Sequence, residues 1–267
     1  MNASAPRIVI ANAPVSFGAF EVTVGIDPNT PDALAVLDTV ADAGYLGVDL
    51  GPVGYFGEGV VLADRLATRG LGLSGAYLEL PYSEPDALQE MQPALDALLD
   101  SLDAVKGVGT LPPRPTLGDF STLARRARPG QAVTDRSLGL DDAGFARFVA
   151  GVERTADYCR KRGYEPTFHN ETGTFIEAPW EIERMLEHTS VSLCLDTGHL
   201  IIGGGDPVTA LRDWGTRINH LHLKDARREA IAGIVRDAAP AEAIWDRGAF
   251  CALGHGDVPL DAVLALV

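Results

Sequence analysis

Six side chains that can bind a metal ion or move a proton stand near the ends of three short apolar segments. They are His169, Glu171, Asp196, His199, His222 and Lys224. Any one of them alone is more often structural, but imidazole and carboxylate groups together, without thiolates, suit Mn²⁺, Zn²⁺, Co²⁺ or Fe²⁺. The set therefore predicts a divalent metal site with proton-transfer groups beside it.

Alternation along each apolar segment explains why these polar groups should meet. Successive side chains of a strand point to opposite faces. In 191–196 the large aliphatic side chains share one face, which leaves Asp196 on the other. The segments 164–171 and 217–225 follow the same rule, so their histidines face the same way. In a closed barrel of parallel strands, these strand ends meet at one mouth.

Strand-like and helical segments alternate along most of the chain, which is typical of βα units around a parallel sheet. We predict strands at 7–11, 46–50, 71–80, 164–169, 191–196 and 217–225. Helices are predicted at 31–43, 59–68, 85–105, 141–162, 179–188 and 206–214, with another from 260 onward. The segment 107–139 is rich in proline and arginine, so we expect at best a short fourth strand and then a long loop.

The composition is that of a globular protein with a strong negative charge. Of 267 residues, 46% are hydrophobic and 22% are charged, and the formal net charge is −15. A chain of this length can bury one large core, and α/β barrels of about 250 residues are single domains. We therefore predict one barrel domain over 1–267. The charge argues against nucleic acid and anionic membranes as partners.

The cysteine pattern and the start of the chain bear on cellular location. The three cysteines lie far apart, without the spacing of a disulfide framework or a cysteine zinc site. Residues 1–7 lack the basic start of a leader sequence, and no apolar run is long enough to span a membrane. We expect a protein of the reducing cytoplasm that is neither exported nor embedded in a membrane.

Several motifs are distributed over nearly the whole chain, at 11–14, 44–51, 169–174, 195–199, 204–207, 217–227 and 253–257. They include Asp-Thr-Gly-His and His-Leu-His-Leu-Lys-Asp. The sequence resembles the xylose isomerase-like TIM-barrel superfamily of sugar isomerases and epimerases, and within it looks most like inosose dehydratases. The resemblance implies a (β/α)8 barrel. Its eighth strand, which carries a carboxylate in the family, is expected to be missing, because the sequence stops within the preceding helix.

The resemblance also implies roles for the residues of strands six and seven. Asp196 and His222 would be metal ligands, and His199 would contact the substrate or carry protons beside the metal. Apart from the resemblance, Lys224 could steady a developing oxyanion, or it could instead pair with Asp225 or Glu229. The ion would be Mn²⁺ by preference, with Co²⁺, Zn²⁺, Fe²⁺ or Mg²⁺ as alternatives.

The ligand from strand five is less determined. The family commonly has Glu where His169 stands, so either His169 or Glu171 could bind the metal while the other acts as base. We favour Glu171 as ligand and His169 as base, with Glu177 as a third candidate. Glu177, Asp49 and Arg227 are candidate substrate-binding residues, although Asp49 could instead cap a turn and Arg227 could pair with nearby acids.

The chemistry that the resemblance implies is removal of a proton next to a carbonyl, with a metal stabilising the resulting enediolate. We expect a metal-dependent carbon–oxygen lyase on a keto-polyol or keto-sugar, first of all an inosose dehydratase-like enzyme of carbohydrate metabolism. Alternatives are a ketose isomerase or epimerase, a deglycosidase of oxidised (3-oxo) C-glycosides, an abasic-site endonuclease, and a non-catalytic barrel subunit. We further expect a homo-oligomer, or a partner subunit.

Overall fold

The computed structural model describes residues 8–110 and 112–267. Residues 1–7 and Leu111 lie outside the described residues. The predicted absence of a leader and the start of the first predicted strand both fall within residues 1–7. Within the described ranges the strands are β1 (Ala11–Asn12), β2 (Gly47–Val48), β3 (Gly72–Leu73), β4 (Gly75–Leu80), β5 (Arg114–Asp119), β6 (Thr167–His169), β7 (Ser192–Asp196), β8 (Ile218–His222), β9 (Asp225–Ala226) and β10 (Phe250–Cys251).

The helices in the same ranges follow most of the predicted segments. They are α1 (Ala33–Asp42), α2 (Gly59–Ala67), α3 (Pro85–Glu90), α4 (Gln92–Ala104), α5 (Leu123–Arg126), α6 (Asp142–Lys161), α7 (Pro179–His188), α8 (Thr197–Ile202), α9 (Pro207–Trp214), α10 (Arg228–Arg236), α11 (Ala243–Asp246) and α12 (Leu260–Leu264). No helix among the described residues has both the length and the apolar character needed to cross a bilayer.

The chain divides into two compact units. Unit 1 comprises residues up to 78, 91–116 and 159–165, and unit 2 comprises 79–90, 117–158 and 166–267. The single domain over 1–267 stays a prediction.

Unit 1 contains a parallel sheet in the order β1, β2, β3, with Gly47 paired to Ala11 on one side and to Gly72 on the other. Helix α1 begins where the Asp32 carboxylate accepts hydrogen bonds from two backbone N–H groups, at 2.9 and 3.1 Å. Leucines of α1, α2 and α4 are buried, including Leu37 and Leu62. Burial of these apolar faces is what stabilises the helices of this unit.

Unit 2 contains the strand ends that carry the predicted site. Strands β6, β7 and β8 are parallel, and the register pairs His169 with Cys194 and Asp196 with His222. Phe168 packs among Tyr82 and Phe148, with ring centroids 5.5 and 5.7 Å away. Because Phe168 is committed to this aromatic core, the alternation of β6 turns His169 to the opposite face, as predicted.

Some predictions about the elements were wrong. The fourth strand is not short: β5 has six residues, and its side chains from Pro115 onward are buried. The helix predicted over 85–105 is interrupted at Met91, between α3 and α4. Helices α8 and α10 and the antiparallel pair β9–β10 were not predicted. Burial against neighbouring strands outweighs the low strand propensity of the proline-containing segment.

Candidate active site

Asp196 is both the last residue of β7 and the residue that caps α8. Its Oδ1 accepts a hydrogen bond from the His199 N–H at 2.9 Å, which starts the helix directly after the strand. The buried Asn170 side chain donates to the Asp196 carbonyl at 3.1 Å and accepts from the Asp196 N–H at 2.8 Å. The backbone and one carboxylate oxygen of Asp196 are therefore held in place.

The other carboxylate oxygen, Asp196 Oδ2, is buried and accepts no hydrogen bond from any residue that the structure describes. Three nitrogen atoms lie around it: His169 Nε2 at 3.5 Å, Lys224 Nζ at 3.4 Å and His222 Nδ1 at 3.8 Å. With metal–ligand bonds of about 2.0–2.2 Å, two ligands of one cation stand roughly 3–3.5 Å apart. The orphaned oxygen and the nearer imidazole, that of His169, therefore stand at the separation expected of two ligands of one divalent cation.

The surroundings of Asp196 and His222 favour the protonation states in which these side chains can bind a cation. Burial alone would raise the pKa of the Asp196 carboxyl, but Lys224 and then His199 and His169 lower this pKa well below its ordinary value. Burial also lowers the pKa of His222 far below its usual range, and repulsion from His169 and His220 adds to that effect. An ionised carboxylate and a neutral imidazole are the forms that bind metals.

His199 links Lys224 to Glu171. Lys224 Nζ lies 2.8 Å from Nε2 of His199, while Nδ1 lies 2.7 Å from Thr172 Oγ1 and 3.0 Å from Glu171 Oε1. Burial and the nearby ammonium lower the pKa of His199 well below its ordinary value, so the ring is neutral. The Phe250 ring, from β10, packs against His199 with centroids 4.8 Å apart.

Glycine at position 198 lets Lys224 approach α8. A Cβ atom at Gly198 would lie 2.9 Å from Lys224 Cγ and 3.1 Å from its backbone carbon. Any larger residue would therefore push the lysine away from His199. This close approach explains why Gly198 stands in the strand-to-helix turn.

Glu171 follows β6 and contacts imidazoles. Its Oε2 lies 3.4 Å from His169 Nδ1, and its side chain is 20% exposed, against 4% for His169. Burial raises the pKa of Glu171 to about 7, opposed by His169 and Lys224. Glu171 is thus the more accessible of the two candidates for the strand-five base.

Two groups among the described residues could each hold an ion. One is His169, Asp196 and His199, and the other is His169, Cys194 and His222, with the ligand atoms of each group within 4.8 Å of one another. His169 belongs to both groups and Glu171 to neither. The assignment of Glu171 as ligand and His169 as base stays a prediction.

Glu177 holds loops together in the structure. Its Oε2 forms a buried ion pair of 2.8 Å with Arg125, and its Oε1 accepts hydrogen bonds from the Gly130 and Gly173 N–H groups at 2.9 and 2.8 Å. Arg125 also lies 3.3 Å from Glu181. Loop stabilisation accounts for all of these contacts, and substrate binding by Glu177 stays a prediction.

The other two predicted substrate contacts also have protein partners. Asp49, in unit 1, accepts a hydrogen bond from the Gly51 N–H at 3.0 Å, which corresponds to the turn-capping alternative. Arg227 donates to the carbonyls of His255 and Gly248 at 3.2 and 3.0 Å. Their roles toward a substrate stay predictions.

Sequence reasoning missed several polar residues at the same strand ends. Glu79, at the end of β4, pairs with Arg126 at 2.5 Å, and both Glu79 and Asp196 add to the raised pKa of Glu171. Asp119, the last residue of β5, is buried and accepts a hydrogen bond from the Phe175 N–H. Carboxylates at the last but one position of β4 and the last position of β5 were the signal that could have found them.

The fold defines a class of protein: a TIM barrel of the xylose isomerase type. A family model described as xylose isomerase-like TIM barrel matches residues 37–267, so the chain belongs to that family and the predicted barrel fold is confirmed. Among its relatives, the chain is 27% identical to an inosose dehydratase of Geobacillus kaustophilus, over 96% of this chain and 82% of the relative. It is 31% identical to inosose dehydratase 2 of Bacillus cereus, over 86% of this chain and 76% of the relative.

Solved structures confirm the fold at lower identity. A probable 3-DHS dehydratase from Bacillus anthracis has a TM-score of 0.66 at 14% identity, covering 97% of this chain and 89% of that one. A D-allulose 3-epimerase from Methylomonas sp. has a TM-score of 0.65 at 16% identity, covering 97% and 80%. A xylose isomerase-like TIM barrel protein from Mycobacterium smegmatis, in complex with magnesium, has a TM-score of 0.62 at 16% identity, covering 97% and 85%.

Proposed function

We propose that this protein is a divalent-metal-dependent dehydratase that acts on a keto-polyol or keto-sugar, as the names of the inosose dehydratases to which it is similar indicate. One observation carries the proposal. The buried Asp196 Oδ2 accepts no hydrogen bond from the described residues and lies 3.5 and 3.8 Å from imidazole nitrogens. A neighbour in complex with magnesium supports a divalent cation in this fold.

The residues that would hold the cation are Asp196, His169 and His222. This choice makes His169 the ligand and Glu171 the base, the reverse of the assignment that the sequence favoured. His169 Nε2 approaches Asp196, whereas the ion-pair contacts of Glu171 that the structure describes are with imidazoles. When bound, a divalent cation supplies Lewis acidity that polarises a ketone and makes the neighbouring C–H more acidic.

Glu171 is the group that we assign to proton abstraction. Its carboxylate is partly exposed, so a ligand can reach it, and one oxygen lies 3.0 Å from His199 Nδ1. A proton taken by Glu171 can therefore be shared with the neutral His199 ring and returned to a departing hydroxyl. General acid and base groups of this kind contribute about 10²–10⁴-fold to a rate.

Lys224 and Phe250 complete the proposed machinery. The ammonium lies 2.8 Å from His199 Nε2 and 3.4 Å from Asp196 Oδ2, so it can donate to an oxygen that gains negative charge. The Phe250 ring covers His199 and also lies 5.1 Å from Lys224 Nζ. This aromatic cover limits the access of water to the proton-transfer groups.

The proposal extends to partners and location. A small polyol or sugar is the expected substrate, and the net charge of −15 disfavours nucleic acid and anionic membranes. None of the three cysteines forms a disulfide in the described structure, which supports a reducing cytoplasm. Homo-oligomer formation is part of the same proposal.

Metal removal followed by product analysis tests the function. The purified protein is exhaustively chelated and assayed with an inosose, then assayed again after divalent metal is returned. We expect turnover to disappear and to be restored; full activity in the chelated protein refutes the proposal. NMR in heavy water separates dehydration, in which the product has lost water, from isomerisation or epimerisation, in which the product keeps its composition and gains deuterium.

Two variants test the assigned roles. Glu171→Gln should lower kcat by at least about 10²-fold with bound metal retained, whereas His169→Gln should lose the metal. The matched control is Glu183→Gln, because Glu183 is an exposed acid on α7. Retention of metal by His169→Gln together with its loss in Glu171→Gln would restore the assignment made from sequence.

A further inference from the structure

Cys194 occupies the inner face of β7 two residues before Asp196. Because side chains alternate along a strand, Cys194 and Asp196 point to the same side. The register places Cys194 beside His169 on β6 and beside His220 on β8. Its side chain is fully buried. The sulfur atom of Cys194 therefore lies on the same face of β7 as the carboxylate of Asp196, one inward-facing position earlier in the strand.

The same two histidines face both groups. The sulfur of Cys194 and one nitrogen each of His169 and His222 lie within 4.8 Å of one another. Nitrogens of these two rings also lie 3.5 and 3.8 Å from Asp196 Oδ2. The imidazoles of His169 and His222 therefore lie near both the carboxylate of Asp196 and the thiol of Cys194. The thiol is the donor that the sequence pattern had left out of the site.

We propose that Cys194 binds the divalent cation as a thiolate, together with His169 and His222, and that the site consequently prefers Zn²⁺ or Co²⁺ to Mg²⁺ or Mn²⁺. This inference rests on the proposed metal site and deepens it. Thiolate and imidazole ligands select borderline-soft cations, whereas Mg²⁺ and Mn²⁺ prefer oxygen. On binding, the S–H bond breaks, a sulfur–metal bond forms, and one proton leaves to solvent. Nothing is oxidised or reduced.

The experiment uses Co²⁺ as a spectroscopic probe. The full chain is freed of metal and titrated with Co²⁺, and near-ultraviolet absorption is followed for sulfur-to-cobalt charge transfer. Cys194→Ser is compared with the double variant Cys159→Ala/Cys251→Ala, which retains Cys194 as the single thiol. Affinities for Zn²⁺ and Mn²⁺ are measured on the same proteins by competition. Circular dichroism confirms that each variant is folded.

We expect the charge-transfer band in the wild type and in the double variant, and its loss in Cys194→Ser. We also expect Cys194→Ser to lower the ratio of Zn²⁺ affinity to Mn²⁺ affinity by at least about tenfold. Binding of Co²⁺ to the wild type without the band overturns the thiolate and leaves the metal site standing. Failure of the wild type to bind Co²⁺ overturns both. If Cys194→Ser does not fold, the wild type and the double variant still decide whether a thiolate binds.

Discussion

Replacing Glu177 by glutamine should destabilise the protein, because it breaks a buried ion pair. The variant keeps Oε1, which accepts from the Gly130 and Gly173 N–H groups, but it loses the charged oxygen 2.8 Å from Arg125. Breaking a buried pair costs about 3–5 kcal/mol, and the remaining contact of 3.3 Å with Glu181 places the expected cost near the lower end, about 3 kcal/mol. With an unfolding entropy of about 2.1 cal/mol/K per residue over 267 residues, this corresponds to a fall in Tm of roughly 5 °C.

Scanning calorimetry of Glu177→Gln measures the change, with Glu183→Gln as the exposed-acid control. The double variant Arg125→Met/Glu177→Gln should be no less stable than Arg125→Met alone, because no buried cation then remains to be paired. An unchanged Tm in Glu177→Gln together with a raised KM would refute the reasoning. That result would instead support Glu177 as the substrate contact predicted from sequence.

Three further predictions concern other parts of unit 2. Asp196→Asn should keep α8, because the amide oxygen can still accept from His199, while divalent-metal affinity measured by calorimetry falls at least about tenfold; unchanged affinity would count against the site. Burial raises the pKa of Asp119 to about 7, so the folded state retains a proton that the unfolded chain releases near pH 4. The free energy of unfolding of the wild type should therefore fall by roughly 4 kcal/mol relative to that of Asp119→Asn as the pH rises from 4 to 8. Urea unfolding measures both free energies, and a difference between them that does not change with pH would contradict this. Phe250→Ala, which uncovers His199, should lower kcat by about three- to tenfold with metal affinity unchanged, and a normal kcat would argue against an aromatic cover.

Alternation along single strands was enough to predict the inner face of β6, β7 and β8. The aliphatic residues of 191–196 placed Asp196, and the core position of Phe168 placed His169 opposite. Such predictions succeed because a strand has only two faces and one of them must be apolar. The resemblance to a known family then supplied the barrel closure, which no single segment specifies.

The missed elements depend on interactions that local sequence does not contain. Helix α8 begins because the Asp196 carboxylate caps it, although Thr197 and Gly198 are poor helix formers. Phe250 reaches His199 only through the pairing of β9 with β10, which joins segments about two dozen residues apart. Strand β5 forms despite Pro115 because its side chains from Pro115 onward are buried.

The carboxylate of Asp196 is restrained where it lies beside His169 and Lys224. Turning its carboxylate would release a helix cap worth about 1 kcal/mol, and the Asn170 side chain restrains the peptide on both its N–H and its carbonyl. A ligand that binds here must fit the position of the Asp196 carboxylate, which the backbone holds in place. A bound cation would therefore meet Oδ2 at a position set by the backbone, while the longer side chains around it adjust.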